Sequence, residues 1–376
     1  MTTATDPESD LATMRVALDE ARKALPSPNP PVGAVVVSKA GEIVAAAFHA
    51  RAGEEHAEAR ALHDAGEAAR DGTLFVTLEP CNHHGRTPPC VDAIIRAGIR
   101  RVVVGCLDPN PNVEGGGAAR LEQSGLVVEV GTAGAEARSV IAPWAKFITT
   151  GMPYVSLKLA LSLDGRIATR SGASKWVTGP EARAKVQELR VQHDVVAVGI
   201  GTALADDPRL TIRAEGLTEL GRVPTRVIFD TRLRLPQTSR LVQSAREIPT
   251  WLIAGEEASV AQEQALVDAG CVVLRVPSSA EGRVDVSSAL RMLAAQNVVS
   301  MLVEGGAELA GSLLAARLAD ELHAFIAPIL LGPRGRPGAV DWAGPDTPSE
   351  APRIVDPRWA LCGRDAYVSG PLSFPR

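Results

Sequence analysis

Two α/β domains are what this sequence predicts. Three observations carry that reading: a length of 376 residues, apolar strand-like runs alternating with helical patterns in both halves, and a Gly151/Pro153 break between the two series. The length exceeds what one ordinary hydrophobic core organises. Short apolar runs separated by helical stretches imply sheets layered with helices.

In the first half, strands are expected at Val32–Val37, Thr73–Leu78, Arg101–Leu107 and Val127–Val130, with helices at Leu11–Leu25, His56–Arg70 and Val91–Ala97. The stretch AGAEARSVIAPWAKFITTGMP then reads as a helix ended by Gly151 and Pro153, which closes a first domain of residues 1–150. A second domain, residues 151–376, is expected to place strands near Val155–Ala160, Val195–Gly199, Val227–Asp230, Thr250–Ala254, Val272–Val276, Val298–Val303 and Glu321–Ile329. Its helices are expected near Glu181–Gln192, Val286–Ala295 and Glu308–Leu318, giving a mostly parallel, doubly wound sheet. Asp341–Pro357, rich in Pro, Asp and Ala, reads as a surface loop.

Composition narrows the class. With 45% apolar and 22% charged residues the chain is a soluble globular protein, and at 3% aromatics its cores rest on Ala, Val, Leu and Ile. A net charge of -5 and a pI near 5.9 offer no footprint for a nucleic-acid backbone, which rewards clustered Lys and Arg. The acidic start MTTATDPESD has no apolar leader core, and no stretch approaches the roughly 20 apolar residues that cross a bilayer, so a cytoplasmic protein is expected. Five cysteines, an odd count, point to metal ligation or burial rather than a disulfide framework.

The most informative constellation is His56-Ala57-Glu58 followed by Pro80-Cys81 and, after eight residues, Cys90. One His and two Cys supply three ligands for zinc, and the fourth tetrahedral position stays open for a water whose pKa falls from about 15.7 to about 7. The start of the helix beyond Cys90 favours thiolates at Cys81 and Cys90. Glu58, no ligand itself, has the task of moving protons from that water to a ring nitrogen and a leaving amine. Residues two apart lie about 200° apart on a helix, so His56 and Glu58 can converge only at an open N-terminal end. The competing reading is a closed structural site with His83 or His84 as fourth ligand. His63 reads as a helix-face residue, and Cys106, Cys271 and Cys362 as inert buried thiols.

PNPPVGAVVV, FHARAGEEHAEA, VTLEPCNHHGRTPPC and DPNPNV together resemble the deaminase half of the bifunctional riboflavin-synthesis deaminase/reductase family, with its cytidine-deaminase-like three-layer domain. The long loop between the cysteines sets that family apart from cytidine and tRNA adenosine deaminases. The resemblance implies hydrolytic loss of the 2-amino group from 2,5-diamino-6-(5-phosphoribosylamino)pyrimidin-4-one, with Asn29 and His49 as substrate contacts. Asn29 offers the paired donor and acceptor a pyrimidine edge needs, but an Asx-turn before Pro30 explains it as well. Arg60 and Asn82 depart from the His and Ser that family members often carry.

In the second half, VVSMLVEGG runs a strand into a Gly pair and AELAGSLLAARLAD begins a helix, a turn that lets backbone amides approach phosphate, although such turns are more often structural. With YVSLKLALSLDGRIA, SGASKWVTG and GTALADDPRLTIR, it resembles the reductase half of the same family, a dihydrofolate-reductase-like fold. That resemblance makes Ala160, Trp176, Thr202, Asp206 and the run Gly306, Ala307, Glu308, Leu309, Ala310, Gly311, Ser312 contacts of NADPH. It makes Ser174, Arg190, Leu210, Arg213 and Glu304 substrate contacts. Arg190 and Arg213 suit a ribose phosphate, solvated Arg being the alternative, and Glu304 could equally be buried against a neighbouring Arg. Hydride transfer to the opened ribosyl carbon is implied, with Lys158 or Asp206 as proton donor. The family leads us to expect a homodimer. A nucleoside or nucleic-acid deaminase with a degenerate second half, and a non-catalytic zinc-stabilised binding module, are the rival functions.

Overall fold

The computed structural model describes residues 7–83, 88–111, 116–214, 216–217, 223–332 and 338–375. They form two compact units, Met1–Gly151 and Met152–Arg376.

The first unit begins with α1 (Pro7–Lys23), whose acidic first turn and basic last turn match the helix dipole. A hairpin follows, β1 (Gly33–Val37) and β2 (Ile43–Phe48), then α2 (Ala57–Ala65), β3 (Thr73–Leu78), α3 (Cys90–Arg96), β4 (Arg101–Cys106), α4 (Gly117–Gln123), β5 (Val127–Val130) and α5 (Gly134–Thr150). The sheet order is β2-β1-β3-β4-β5, with β1 antiparallel to both neighbours and β3, β4 and β5 parallel. Helices α1 and α5 pack together on the sheet, and α2, α3 and α4 form a second contiguous helical layer. This is the three-layer arrangement expected. Gly33 is obligatory where α1 meets β1, because a Cβ there would lie 1.9 Å from the Ala17 carbonyl oxygen. The sequence reading did not anticipate β2 or α4. It also ran α2 too far: the helix stops at Gly66, which has φ 53°, and a 3-10 turn follows.

The second unit runs β6 (Tyr154–Ser162), α6 (Pro180–Gln192), β7 (Val195–Gly199), α7 (Ile200–Asp206), β8 (Thr225–Phe229), α8 (Arg240–Gln243), β9 (Thr250–Gly255), α9 (Val260–Asp268), β10 (Val272–Val276), α10 (Val286–Ala295), β11 (Ser300–Val303), α11 (Ala307–Ala315), β12 (Glu321–Ala327), β13 (Arg353–Ile354), β14 (Arg358–Cys362) and β15 (Asp365–Ser373). Strands β10-β9-β8-β7-β11-β6-β12 are parallel, and β15 adds antiparallel to β12, with β13 and β14 on its far edge. Helices cover both faces, so central strands are buried on alternate sides: Val195, Ala197 and Val227 pack with α10 and α11, while Val196, Val198 and Ile228 pack with Leu241 and Leu252. That explains their unbroken apolar sequence. The expected loop Asp341–Pro357 is only partly a surface feature. Asp341 N–H donates to the Ala307 carbonyl at 3.0 Å, and Trp342 packs on the core. Among the described residues no helix is long and apolar enough to cross a membrane.

His323 on β12 is 5% exposed, with Nδ1 2.7 Å from the Tyr367 hydroxyl. Burial, with lesser repulsion from His193 and Arg358, pushes its pKa down to about 3, and Glu321, 3.8 Å from Nε2, is itself raised by burial. An unfolded His titrates near 6.5, so between those values the unfolded chain binds a proton that the folded unit refuses. This contribution to stability is complete above about pH 6.5 and is lost on acidification toward 3, at up to ~1.4 kcal/mol per pH unit. Urea midpoints measured across that range should fall less steeply for His323→Asn, by about one proton. An unchanged slope would show that His323 is not the group responsible.

Candidate active sites

Three elements of the first unit bring three donor atoms together. His56 is the N-cap of α2, Cys81 follows β3, and Cys90 opens α3. His56 Nδ1 lies 3.2 Å from Cys90 Sγ and 3.5 Å from Cys81 Sγ, and all three donors fall within 4.8 Å of one another. Tetrahedral zinc, with bonds near 2.3 Å to S and 2.0–2.1 Å to N, requires N···S separations of about 3.6 Å, so the residues fit that ion. Their protonation is compatible with it too. Hydrogen bonding from Cys90, more than that from His56, pulls the Cys81 thiol down to about 4, while sharing that proton and burial push Cys90 up; hydrogen bonding to Cys81 raises His56. Two sulfurs this close cannot both ionise without a cation between them.

Glu58 is the second residue of α2, in its first turn, 4% exposed, with burial raising its pKa. His56 and Glu58 thus converge at the helix N-terminus. His49 Nδ1 donates to the Glu55 carbonyl at 3.0 Å, which leaves Nε2 to accept from Asn29 Nδ2 at 2.9 Å. Burial lowers the His49 pKa, consistent with a neutral ring, and that ring stands edge-on to His56 at 5.1 Å. Asn29 is therefore tied to the site rather than to a local turn alone. Among the described residues no fourth His, Cys, Asp or Glu joins the three donors, and His83 is exposed. His84 lies outside the described residues, as does Val113 of the DPNPNV segment. His63 is an exposed helix residue, and burial raises Cys106 and Cys271 to about 11 and Cys362 to a lesser degree.

In the second unit a cavity of about 430 Å³ opens at the C-terminal ends of β6, β7 and β11, as expected for parallel sheets. Ala160, Ser174, Trp176, Arg190, Thr202, Asp206, Leu210, Arg213, Glu304, Gly306, Ala307 and Ala310 all border it, together with Lys158. Ser174 donates to Asp206 Oδ1 at 2.7 Å, and Arg183 stacks on the Trp176 ring at 4.6 Å. Arg190 and Glu304 form a buried bidentate pair at 2.5 and 2.8 Å, each side chain 7% exposed, and the third Arg190 nitrogen donates to the Thr211 carbonyl. Burial, then repulsion from Arg190 and Arg209, lowers the Arg213 pKa, which marks a local concentration of positive charge.

A second cavity of about 750 Å³ shares Ser174, Thr202, Asp206, Gly306 and Ala307 with the first and continues past Glu308, Leu309 and Ser312. Gly306, at φ 96°, lets the chain turn from β11 into α11, where a Cβ would lie 3.4 Å from the Gly199 nitrogen. Gly311 has a different reason to be glycine: a Cβ would lie 1.9 Å from the Asp341 carbonyl oxygen. The sequence reading missed Thr231, Arg232, Arg234 and Arg283 on this wall. The first three follow the C-terminal end of β8, a position that parallel topology marks as ligand-facing.

Two family models match the chain: the cytidine and deoxycytidylate deaminase zinc-binding region over residues 7–106, and the RibD C-terminal domain over 153–367. The riboflavin biosynthesis protein RibD of Escherichia coli is 44% identical over 336 residues, covering 87% of this chain and 89% of that protein. The chain belongs to the RibD family of riboflavin biosynthesis proteins. Acinetobacter baumannii RibD superposes with a TM-score of 0.86 at 35% identity, over 98% of this chain and 100% of that one. A Thermotoga maritima diaminohydroxyphosphoribosylaminopyrimidine deaminase/5-amino-6-(5-phosphoribosylamino)uracil reductase gives 0.82 at 34%, over 98% and 99%. The RibD match across 153–367 speaks against a degenerate second half.

The Arg190–Glu304 pair generates a stability prediction. Removing one partner of a buried pair leaves the other charge uncompensated, at a cost of about 3–5 kcal/mol. Glu304→Ala should therefore lower the unfolding free energy of the reductase-type unit by that amount, read from its urea transition. A loss below about 1 kcal/mol, the scale of exposed pairs, would show that water relieves Arg190.

Proposed function

We propose that this chain is a bifunctional enzyme of riboflavin synthesis. Its first unit hydrolyses the 2-amino group of 2,5-diamino-6-(5-phosphoribosylamino)pyrimidin-4-one, and its second reduces the ribosyl group of the product to ribityl with NADPH. The observation that carries the reading is the facing set His56, Cys81 and Cys90 beside a buried carboxylate, within a chain that matches RibD proteins along nearly all its length.

When bound to His56, Cys81 and Cys90, zinc supplies a Lewis acid that makes water nucleophilic at neutral pH. Glu58 takes the proton released as water adds to the carbon bearing the amine, passes it to the adjacent ring nitrogen, and delivers a second to the departing ammonia. Its burial raises its proton affinity and keeps bulk water out of the exchange. Asn29, its Nδ2 partly engaged by His49, turns its remaining amide groups to the pyrimidine edge.

In the second unit, NADPH supplies the hydride when bound along the joined cavities. Thr202 and the turn from Gly306 into α11 face the cofactor, and Arg213, within its positive cluster, takes the substrate phosphate. Lys158 is the better of the two proton donors. Burial lowers its pKa toward the working range, whereas Asp206 is committed to accepting from Ser174. Reduced cysteines suit the cytoplasm. The exposed edge strand β14, with Trp359 and Leu361 67% and 77% exposed, supports association into a homodimer.

A coupled assay tests both units at once. The parent should release ammonia from the diaminopyrimidine phosphate and oxidise NADPH. Glu58→Gln should retain zinc, lose ammonia release by about 10²–10⁴-fold, and still oxidise NADPH when given the deaminated compound. Full deamination by that variant would remove Glu58 from the mechanism. Separately, Arg213→Ala should raise KM for the phosphorylated reductase substrate by roughly tenfold or more, as expected for a lost charged hydrogen bond of about 1.5–3 kcal/mol. An unchanged KM would free Arg213 of the phosphate.

A further inference from the structure

Arg120, on α4, ties together the two segments that carry the cysteines. Its Nη1 donates to Asn82 Oδ1 at 2.7 Å and its Nη2 to Asp92 Oδ1 at 2.6 Å. Asn82 is the neighbour of Cys81, and Asp92 lies two residues beyond Cys90 in the first turn of α3. The guanidinium is planar and rigid, so two donors fixed in one fork set the distance between their two acceptors in a way that a single-point ammonium does not.

The helix bearing Arg120 is itself fixed to the chain leading into Cys81. Glu79 accepts from Ala118 N–H at 3.0 Å through one carboxylate oxygen and from Asp108 N–H at 3.1 Å through the other. Gly117 abuts Pro80 so closely that a Cβ would lie 1.9 Å from the Pro80 carbonyl oxygen. The segment Glu79–Asn82, helix α4 and the start of α3 thus form one closed ring of contacts, and Arg120 is the link that closes it. The links that backbone N–H groups make between the cysteine segments are modest: Cys90 N–H to Cys81 Sγ and Val91 N–H to the Cys81 carbonyl, both 3.3 Å.

We propose that Arg120 is a positioning residue of the deaminase site, clamping Asn82 and Asp92 so that Cys81 and Cys90 keep the spacing a tetrahedral metal requires. Asn82, one of the two departures from the family pattern, is then the partner that reaches this fork, where a Ser oxygen would be held nearer its own backbone. The proposal rests on the zinc reading above. The competing account is an ordinary surface ion pair, since Arg120 and Asp92 side chains are 41% and 33% exposed.

The test uses the full zinc-loaded chain and its cobalt-substituted form, with Arg120→Ala, Arg120→Lys, Asn82→Ser and the double variant Asn82→Ser/Arg120→Ala. Groups that orient metal ligands typically change affinity 10–100-fold, so Arg120→Ala should release zinc to a chelator faster by about that factor and shift the thiolate-to-cobalt absorption. Arg120→Lys should recover part of the effect. Asn82→Ser should weaken retention by less, and should add less in the Arg120→Ala background than it does alone, because both act through one contact. Parent-like zinc release and cobalt absorption in Arg120→Ala would overturn the clamp, as would full additivity of the two changes. A parent chain that takes up neither metal would instead overturn the zinc reading itself, and the clamp with it.

Discussion

Two sulfurs and an imidazole nitrogen in the first unit lie within 4.8 Å of one another, close enough to share protons. Without a cation between them, Cys81 is acidified at the expense of Cys90, and His56 is drawn toward the imidazolium form. The surrounding fold exists to hold this arrangement. Two helices begin at the site, α2 at His56 and α3 at Cys90, and their positive dipole ends, with Cys90 N–H donating to Cys81 Sγ, favour the negative charge that thiolates bring. The sheet keeps those helix starts in place through β3 and β4, buried after their first residues, whose C-terminal ends feed the Cys81 segment and the Cys106–Asp108 segment that Glu79 binds.

The second unit manages charge in the opposite manner. Arg190 and Glu304 satisfy one another before any ligand arrives, and the pair forms one wall of the cavity. A site with its buried charges already compensated stays open and shaped in the absence of ligand. A site whose donors share protons with one another is completed by the ion that displaces those protons. Hydride transfer between two bound organic molecules needs the first kind, a preformed groove in which two reactants align. Hydrolysis by an activated water needs the second, a place where a cation is indispensable.

How much of this was legible in the sequence follows from what each feature depends on. The buried parallel strands announced themselves, because two covered faces require continuous apolar runs: Thr73–Leu78 and Val195–Gly199 coincide with the observed elements. Strand β2 did not, since EIVAAAF contains three small alanines that a strand and a helix accept equally well, and only pairing with β1 decides between them. The short α4 begins beside Gly115-Gly116-Gly117, which reads as a loop, and its anchors Glu79 and Pro80 are distant in sequence. The carboxyl-terminal strand β15 was hidden because its place in the sheet comes from non-local pairing with β12, and the exposed β14 because it joins only through β15.

The site residues divide along the same line. His56, Glu58, Cys81 and Cys90 were legible because metal chemistry restricts the residue types and a helix start restricts the His–Glu spacing. Arg190 and Glu304 were visible as candidates, but their mutual pairing was not, as 114 positions separate them. Gly311 shows how a motif can mislead at one position while serving at the next. Gly306 is glycine for its positive φ at the turn beside the cavity, whereas Gly311, five residues on, is glycine because the Asp341 main chain leaves no room for a side chain. A run of small residues after a strand therefore carries two constraints at once, a positive-φ turn at its start and helix docking further along. Only the contacts of each residue tell which constraint applies.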